Sequence, residues 1–219
     1  MSEVSLDPLE DFLARARHRL LPAPPPPMAE GVQVNGAQVN GDHSLSDDPS
    51  LHMPQRALRH AAVLVPVVAR PEPTVLLTLR SEKLSHHPGQ IAFPGGRIDP
   101  GDRDEVAAAL REAWEEVGLE AGFITPLGFL DGYLSSTGFW IVPVVARVAP
   151  DYHLKINPAE VQDAFEVPLA FLMAPSNHQR QSGLRNGVLR HFYAMPYQDH
   201  FIWGATAGML RNLYERVYA

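Results

Sequence analysis

The chain has 219 residues, of which 45% are apolar and 20% are charged, a balance typical of a globular protein with a core. It contains no cysteine, which excludes disulfides, thiolate metal sites and a cysteine nucleophile, and favours a reducing compartment. The net charge of −7 argues against broad nucleic-acid binding, and no apolar run is long enough to predict a membrane span. Because the N-terminus also lacks a secretory pattern, we expect a cytoplasmic protein.

The first quarter of the chain differs in composition from the rest. Apolar residues at helical spacing predict an N-terminal helix within residues 1–22, with Pro8 in its first turn. Residues 23–55 contain a proline run and few large apolar side chains, which predicts a Pro-rich and flexible linker. Residues 56–219 mix strand and helix patterns, so we expect them to form one domain of the α/β or α+β class with helices on two faces.

The predicted elements of this domain follow from hydrophobic periodicity. A first hairpin is predicted from strands 60–69 and 74–79, followed by a short single strand over 91–93. Strands 123–133 and 140–148 are predicted to form an antiparallel pair, and strands 187–194 and 198–203 a final hairpin. Helices are predicted over 106–117 and 205–217, with a short helix over 169–173. The apolar residues of helix 106–117 lie on one side and its glutamates on the other, which predicts one face packed on a sheet and one facing a cleft.

Three acidic residues of this helix are candidates for chemistry. The spacing of Glu112, Glu115 and Glu116 places them on one helical face, where they repel one another unless something offsets their charge. Solvation together with Arg111, which reaches Glu115 one turn later, is one explanation. A divalent cation is the other, since hard ions such as Mg²⁺ bind carboxylate oxygens and the phosphates of a substrate.

Two glycines stand upstream of the acidic helix. Gly95 and Gly96 follow Pro94, and paired glycines permit backbone conformations that other residues rarely adopt. Exposed backbone carbonyls in such a loop can join carboxylates around a metal ion, which makes the Gly96 carbonyl a candidate ligand. Gly118 is suited to end the helix, so the unit consists of a loop, an acidic helix and a stop.

The string from Gly96 to Leu119 resembles the Nudix box, G-x5-E-x7-R-E-U-x-E-E-x-G-U, where U is an aliphatic residue. The second half of the box matches at Arg111, Glu112, Glu115, Glu116, Gly118 and Leu119. In the first half the spacing is one residue longer, and Arg103 stands in place of the first glutamate, with Asp102 and Asp104 as alternatives. The resemblance implies an α/β/α sandwich with a mixed β-sheet, in which the box helix lies at the active-site cleft.

A second string resembles a subfamily signature. Residues 76–96 are similar to the pattern LLT-x-RS-x3-R-x3-G-x3-FPGG of Nudix coenzyme A diphosphatases. The matches are Leu76, Leu77, Thr78, Arg80, Ser81, Gly89, Phe93, Pro94, Gly95 and Gly96. Ser85 stands where the subfamily usually carries arginine, and His86 or His87 beside it could compensate. Residues 202–210 resemble the closing helix of the same subfamily.

The resemblance implies a metal-dependent enzyme that uses Mg²⁺ or Mn²⁺. The expected reaction is hydrolysis of the pyrophosphate bond of coenzyme A or acyl-CoA, giving 3',5'-ADP and 4'-phosphopantetheine or its acyl form. The implied metal ligands are Glu112, Glu115, Glu116 and the carbonyl of Gly96. The implied catalytic residues are the same three glutamates, Arg111 and Glu160.

Specific roles follow from the same resemblance. Arg111 would orient a box glutamate, although a surface ion pair explains it as well. Glu160, on a later loop, would act as a metal ligand or base, and an exposed helix cap is the equal alternative. The implied substrate-binding residues are Arg80, Ser81, His87 and Gly95.

Two other functions stay open at this point. Ser85 leaves room for another dinucleotide substrate, such as ADP-ribose or NADH. A Nudix-fold binding protein without turnover is the third reading, but such proteins typically lose box glutamates, which this chain keeps. We expect a small-molecule substrate and no nucleic-acid or membrane partner, with a homodimer as the assembly to consider.

Overall fold

The structure is a computed structural model and describes residues 7–27, 40–45, 58–185 and 188–219. Its α-helices are α1 (Pro8–Arg19), α2 (Glu105–Val117), α3 (Leu169–Leu172) and α4 (Ala205–Val217). Its strands are β1 (Arg59–Val68), β2 (Thr74–Arg80), β3 (Ile91–Ala92), β4 (Gly95–Arg97), β5 (Ile124–Phe129), β6 (Tyr133–Leu134), β7 (Phe139–Val148), β8 (Val161–Pro168), β9 (Gln179–Arg185), β10 (Val188–Tyr197) and β11 (His200–Trp203). Within these ranges, no helix is long and apolar enough to cross a bilayer.

A mixed sheet forms the middle layer of the described structure. Its central strand order is β3-β2-β1-β7-β5, while β4 pairs with β1, β6 with β7 and β8 with β2. Strands β1 and β7 run parallel, in a register that extends from Arg59 opposite Phe139 to Val68 opposite Val148. After its first two residues, β1 is buried throughout, as expected of a strand covered on both faces.

Helices cover both faces of this sheet because successive residues of β1 point to opposite sides. Leu64 packs in one cluster with Ala109 of α2. Val65 packs in the other cluster with Phe12 of α1 and Leu210 of α4. The predicted α/β/α sandwich with a mixed sheet is therefore confirmed.

The final hairpin differs from its prediction. We expected its turn at residues 195–197, but β10 continues through Pro196 to Tyr197 and pairs with β11. The chain reverses instead at residues 198–199, where Gln198 adopts a positive φ of 50°. The predicted start of this hairpin at residue 187 lies outside the described residues.

Strands β8 and β9 were missed by the sequence analysis. Polar residues interrupt the apolar pattern of β8, whose residues are mostly exposed or half-buried. This strand nevertheless pairs along the whole of β2 and brings Arg80 opposite Val161. Strand β9 joins β10 and β11 in a separate antiparallel sheet. Strand β9 lines the cavity described below, and β8 follows the turn that carries Glu160.

The N-terminal segments contact the domain where they are described. Asp7 caps α1 by accepting a hydrogen bond from Leu9 N at 2.9 Å. Residues 40–45, within the predicted linker, include a short 3-10 helix, and Asn40 O accepts a hydrogen bond from Leu134 N at 2.8 Å. Residues 28–39 and 46–57 lie outside the described ranges, so the predicted boundaries stay predictions.

Candidate active site

Helix α2 is fixed at both ends by its own sequence. The carboxylate of Asp104 accepts a hydrogen bond from Ala107 N at 2.7 Å, which satisfies an amide of the first turn. Gly118 ends the helix in the left-handed conformation, with φ of 69° and ψ of 20°. Ala109 and Ala113 are buried against the sheet. The glutamates on the other side of the helix therefore reach β4 and the end of β2.

Glu116 is the most enclosed of the three box glutamates, with a side chain only 4% exposed. Its Oε2 accepts a hydrogen bond from Gly95 N at 3.1 Å, and its Oε1 lies 3.7 Å from Nη1 of Arg80. Burial raises the pKa of Glu116 to about 7. The Gly95 N–H and the charge of Arg80 oppose this rise, and the charges of Glu112 and Glu160 add to it by smaller amounts. We expected this side chain to face an open cleft, but the structure encloses it.

The two glycines of β4 contact the surroundings so closely that a side chain would not fit. Gly95 has a φ of 152°, and a Cβ there would lie 2.5 Å from Ala62 O. A Cβ on Gly96 would lie 2.5 Å from Oε1 of Glu112. The backbone of β4 therefore lies directly against the acidic face of α2.

Arg111 connects the loop after β4 to the acidic face of α2. Its Nε and Nη2 donate to the two oxygens of Asp102 at 3.0 and 2.9 Å. Its Nη1 donates to Glu112 Oε1 at 3.0 Å and to Glu115 Oε2 at 2.9 Å, and Nη2 also reaches Arg97 O at 3.0 Å. The hydrogen bonds from Arg111 lower the pKa of Asp102, while burial raises the pKa of Glu112.

The structure distinguishes the two aspartates that flank Arg103. Asp102 is the partner of Arg111 and its side chain is 6% exposed. Asp104 caps α2 instead. Sequence spacing alone did not show which of the two takes the place of the first box glutamate, because the pairing of Asp102 with Arg111 depends on how the intervening loop folds.

Glu160, in the turn before β8, joins Glu112, Glu115 and Glu116, and we call these four residues the acidic cluster. Its charge contributes to the raised pKa of both Glu112 and Glu116. The side chain is held by Asn157, whose Nδ2 donates to Glu160 Oε1 at 3.0 Å. The backbone oxygen of Glu160 accepts from Ser81 N at 2.9 Å, which fixes this turn to the end of β2.

Arg80 and the loop that follows it border the cluster. Nε of Arg80 is buried and has no hydrogen-bond partner among the described residues. Ser81 is 5% exposed and its Oγ accepts from Lys83 N at 3.3 Å, so it shapes the loop. His87 has a φ of 56°, and its Nδ1 lies 2.8 Å from Oε1 of Gln90. Of the four candidate substrate-binding residues, Arg80, Ser81, His87 and Gly95, His87 is the one that lines a neighbouring cavity of about 610 Å³.

The donor groups of this cluster suit a hard divalent cation. Glu112, Glu116 and Glu160 offer carboxylate oxygens, and the first two have raised pKa values because the fold buries them. Mg²⁺ and Mn²⁺ prefer oxygen ligands, and Mg²⁺ keeps several waters, so few protein groups are needed. In the described ranges, no group of three or more acidic or histidine side chains is arranged so that these side chains alone could hold a metal ion. Arg111 occupies one oxygen of Glu112 and one of Glu115, which leaves the second oxygen of Glu112 for a ligand role.

Comparison with known proteins agrees with this geometry. The NUDIX domain family matches residues 58–185. This chain belongs to the Nudix hydrolase family. The uncharacterized Nudix hydrolase NudL of Photorhabdus laumondii is 44% identical over 159 residues, which cover 73% of this chain and 85% of that protein. NudL of Yersinia enterocolitica is 44% identical over 158 residues, covering 72% of this chain and 81% of that protein.

The predicted Nudix superfamily and the prediction of an enzyme are thereby confirmed. Nudix hydrolases generally use divalent metal ions, in agreement with the oxygen donors of the acidic cluster. Among solved structures, DR0079 from Deinococcus radiodurans has a TM-score of 0.48 and 16% identity, covering 76% of this chain and 88% of that chain. The family assignment rests on the domain match and on the sequence relatives.

Proposed function

We propose that this Nudix hydrolase cleaves the pyrophosphate bond of coenzyme A or an acyl-CoA. The products are 3',5'-ADP and 4'-phosphopantetheine or its acyl form. The observation that carries the proposal is the contact between the two motifs: Arg80 of the subfamily string and Gly95 of its FPGG end both reach Glu116 of the box. The string that resembles the coenzyme A signature thus borders the acidic cluster itself.

Glu112, Glu116 and the carbonyl of Gly96 would hold Mg²⁺ or Mn²⁺, with Glu115 as a further ligand and Glu160 adding negative charge nearby. When bound, such an ion neutralises charge on the non-bridging phosphate oxygens and lowers the pKa of a bound water. Because Glu116 is screened from solvent, its carboxylate attracts a cation more strongly than an exposed one would.

The protein's own groups orient the reaction. Arg111 holds Glu112 in place and ties the loop after β4 to α2, which makes it a positioning residue. The N–H groups of Arg80 bind phosphate oxygens of the substrate by charge-assisted hydrogen bonds. The carboxylate of Glu160, oriented by Asn157, accepts a proton from the attacking water. Ser81 acts through the shape of the loop.

Product analysis tests this function. The protein is incubated with Mg²⁺ or Mn²⁺ and with coenzyme A, ADP-ribose or NADH, and the products are separated by chromatography. We expect 3',5'-ADP and 4'-phosphopantetheine to appear fastest, and chelation of the metal to stop the reaction. Faster cleavage of ADP-ribose or NADH would overturn the substrate, and no cleavage with either metal would overturn the catalytic function.

Ser85 is the observation that favours the second candidate, a hydrolase of ADP-ribose or NADH. It lines the cavity beside the loop with a short side chain, where the subfamily string carries a guanidinium.

The cytoplasmic location and the homodimer are likewise predictions, and sedimentation of the purified protein tests the homodimer.

A further inference from the structure

The cavity of about 610 Å³ beside the loop of residues 81–90 has the size of a small-molecule site. Its walls come from four separate parts of the described chain: His43 of the segment 40–45, this loop, residues 134–137, and the sheet of β9, β10 and β11. The loop also links the cavity to the acidic cluster. Arg80 N donates to Gln90 O at 2.9 Å, so the residue beside Glu116 is bonded to a residue of the cavity wall.

Arg190 brings an uncompensated positive charge to this cavity. Arg70, Arg111 and Arg216 each pair with a carboxylate. By contrast, Nε of Arg190 is buried with no hydrogen-bond partner, and no ion pair within the described ranges involves this side chain. A buried guanidinium N–H without an acceptor is costly, so an anionic ligand would stabilise it.

The rest of the polar lining favours an anion as well. Among the described residues that form the cavity, none is an aspartate or a glutamate, although the whole chain carries a net charge of −7. His86 and His191 stand beside Arg190, and Ser85 and Ser136 add hydroxyl donors. An acid-free wall around a guanidinium concentrates anions, and a phosphomonoester with nearly two negative charges suits it best.

Two aromatic rings also line this cavity. The rings of Phe192 and Trp203 lie 5.3 Å apart at an angle of 60°, and Trp203 is 36% exposed. An exposed indole beside a guanidinium offers a stacking surface for a nucleobase. A pantetheine arm would cover the apolar wall but would offer Arg190 only neutral amide and hydroxyl oxygens, and an acyl chain would likewise offer it no anionic acceptor.

We propose that this cavity binds the phosphorylated nucleoside end of the substrate, with Arg190 on a phosphomonoester and Trp203 against the base. The proposal rests on the hydrolase function proposed above and extends it to a defined subsite. Arg190, on β10, then supplies the guanidinium that the loop lacks at Ser85, which lines the same cavity.

The kinetic test compares coenzyme A with dephospho-coenzyme A, which lacks the phosphomonoester. Arg190→Gln should raise the KM for coenzyme A about 10- to 100-fold with little change in kcat, as expected for losing a charge-assisted hydrogen bond. Its KM for dephospho-coenzyme A should stay within about twofold. Arg17→Gln, at an exposed position of α1 and outside the cavity lining, is the matched control. Equal losses for both substrates, or none, would overturn the proposal.

A binding test separates this proposal from the hydrolase function. Tryptophan fluorescence of the metal-free, full-length protein is titrated with 3',5'-ADP and with 5'-AMP. Wild type should bind 3',5'-ADP about 10- to 100-fold more tightly than 5'-AMP, and Arg190→Gln should lose this preference. That result without any turnover would preserve the cavity assignment and overturn the hydrolase proposal. Normal turnover with no preference for 3',5'-ADP would preserve the hydrolase proposal and overturn the cavity assignment. Arg190→Lys provides a second variant if Arg190→Gln fails to fold.

Discussion

Two glutamates of this protein, one partly buried and one buried, have opposite electrostatic environments. Glu166 on β8 accepts hydrogen bonds from Arg70 at 2.6 and 2.7 Å, from Tyr152 at 2.7 Å and from Thr74. Burial alone would raise its pKa, but these donors outweigh burial and lower the pKa of Glu166 to about 2. Its side chain is 20% exposed, and the protein itself satisfies its charge.

Glu116 is more deeply buried and has fewer donors. One backbone N–H reaches it, Arg80 stays 3.7 Å away, and burial raises its pKa to about 7. Enclosure alone therefore does not determine the pKa of a carboxylate, because the donors around it decide how far its charge is stabilised. At Glu166 the surrounding protein groups compensate the charge, whereas at Glu116 they do so only in part, which agrees with the proposed role of Glu116 as a metal ligand.

The largest expected effect comes from neutralising each glutamate in turn. Glu116→Gln should lower kcat about 10²- to 10³-fold, because the variant loses a proposed ligand of the cation that would neutralise charge on the phosphate oxygens. Glu166→Gln should leave kcat within about twofold while lowering stability, since three donors lose their charged acceptor. Steady-state kinetics and denaturant unfolding of both variants check this contrast. Similar kinetic losses in the two would show that the clusters do not differ in function.

The next effect concerns the arginine of each cluster. Arg111→Lys keeps the charge but loses the planar fork that binds Asp102 and Glu112 together, so we expect kcat to fall about 10- to 100-fold. Arg70→Lys breaks the matching fork on Glu166 and serves as the control, with kcat unchanged. A normal kcat in Arg111→Lys would contradict the positioning role.

A smaller loss is expected from adding one methyl group beside the acidic cluster. Gly96→Ala should displace the carboxylate of Glu112, which a Cβ would meet at 2.5 Å, and lower kcat on the order of 10-fold. Gly101→Ala, where a Cβ meets nothing within 4 Å, is the matched control. Equal kinetics in the two variants would argue against close placement of Glu112 and β4.

The smallest effect is a pH dependence of stability that belongs to Glu166. Its pKa is lowered in the folded state from 4.5 to about 2, so it stabilises the fold above pH 4.5 and loses this contribution as the pH falls toward 2. After allowance for solvent screening, we expect a contribution of about 1–2 kcal/mol. Acid unfolding of wild type and Glu166→Gln measures it. Parallel curves between pH 4.5 and 2 would contradict the assignment.

Local patterns predicted the box helix well. Helix α2 spans 105–117 against a predicted 106–117, and its alanines pack on the sheet as their spacing indicated. The helix carries its own start and stop signals, in Asp104 and Gly118, so little depends on distant parts of the chain. The mixed sandwich followed from the family resemblance rather than from periodicity.

Contacts between residues that are far apart in the sequence could not be predicted from the sequence patterns. The structure reveals the enclosure of Glu116 by Gly95, which is 21 residues away, and the pairing of Glu166 with Arg70, which is 96 residues away. Spacing within one element carries no information about such contacts. The same holds for Arg190, which approaches Ser85 only because β10 folds back beside the loop after β2. The catalytic and metal-binding roles themselves stay predictions.

The most direct test of the metal site is Mn²⁺ binding to the metal-free protein, followed by electron paramagnetic resonance of the unbound ion. We predict that wild type and Glu166→Gln remove Mn²⁺ from solution equally, and that Glu116→Gln binds it at least about 10-fold more weakly because it loses a charged oxygen ligand. Equal binding by Glu116→Gln and wild type would contradict the account, because the uncompensated carboxylate would then not be the metal ligand.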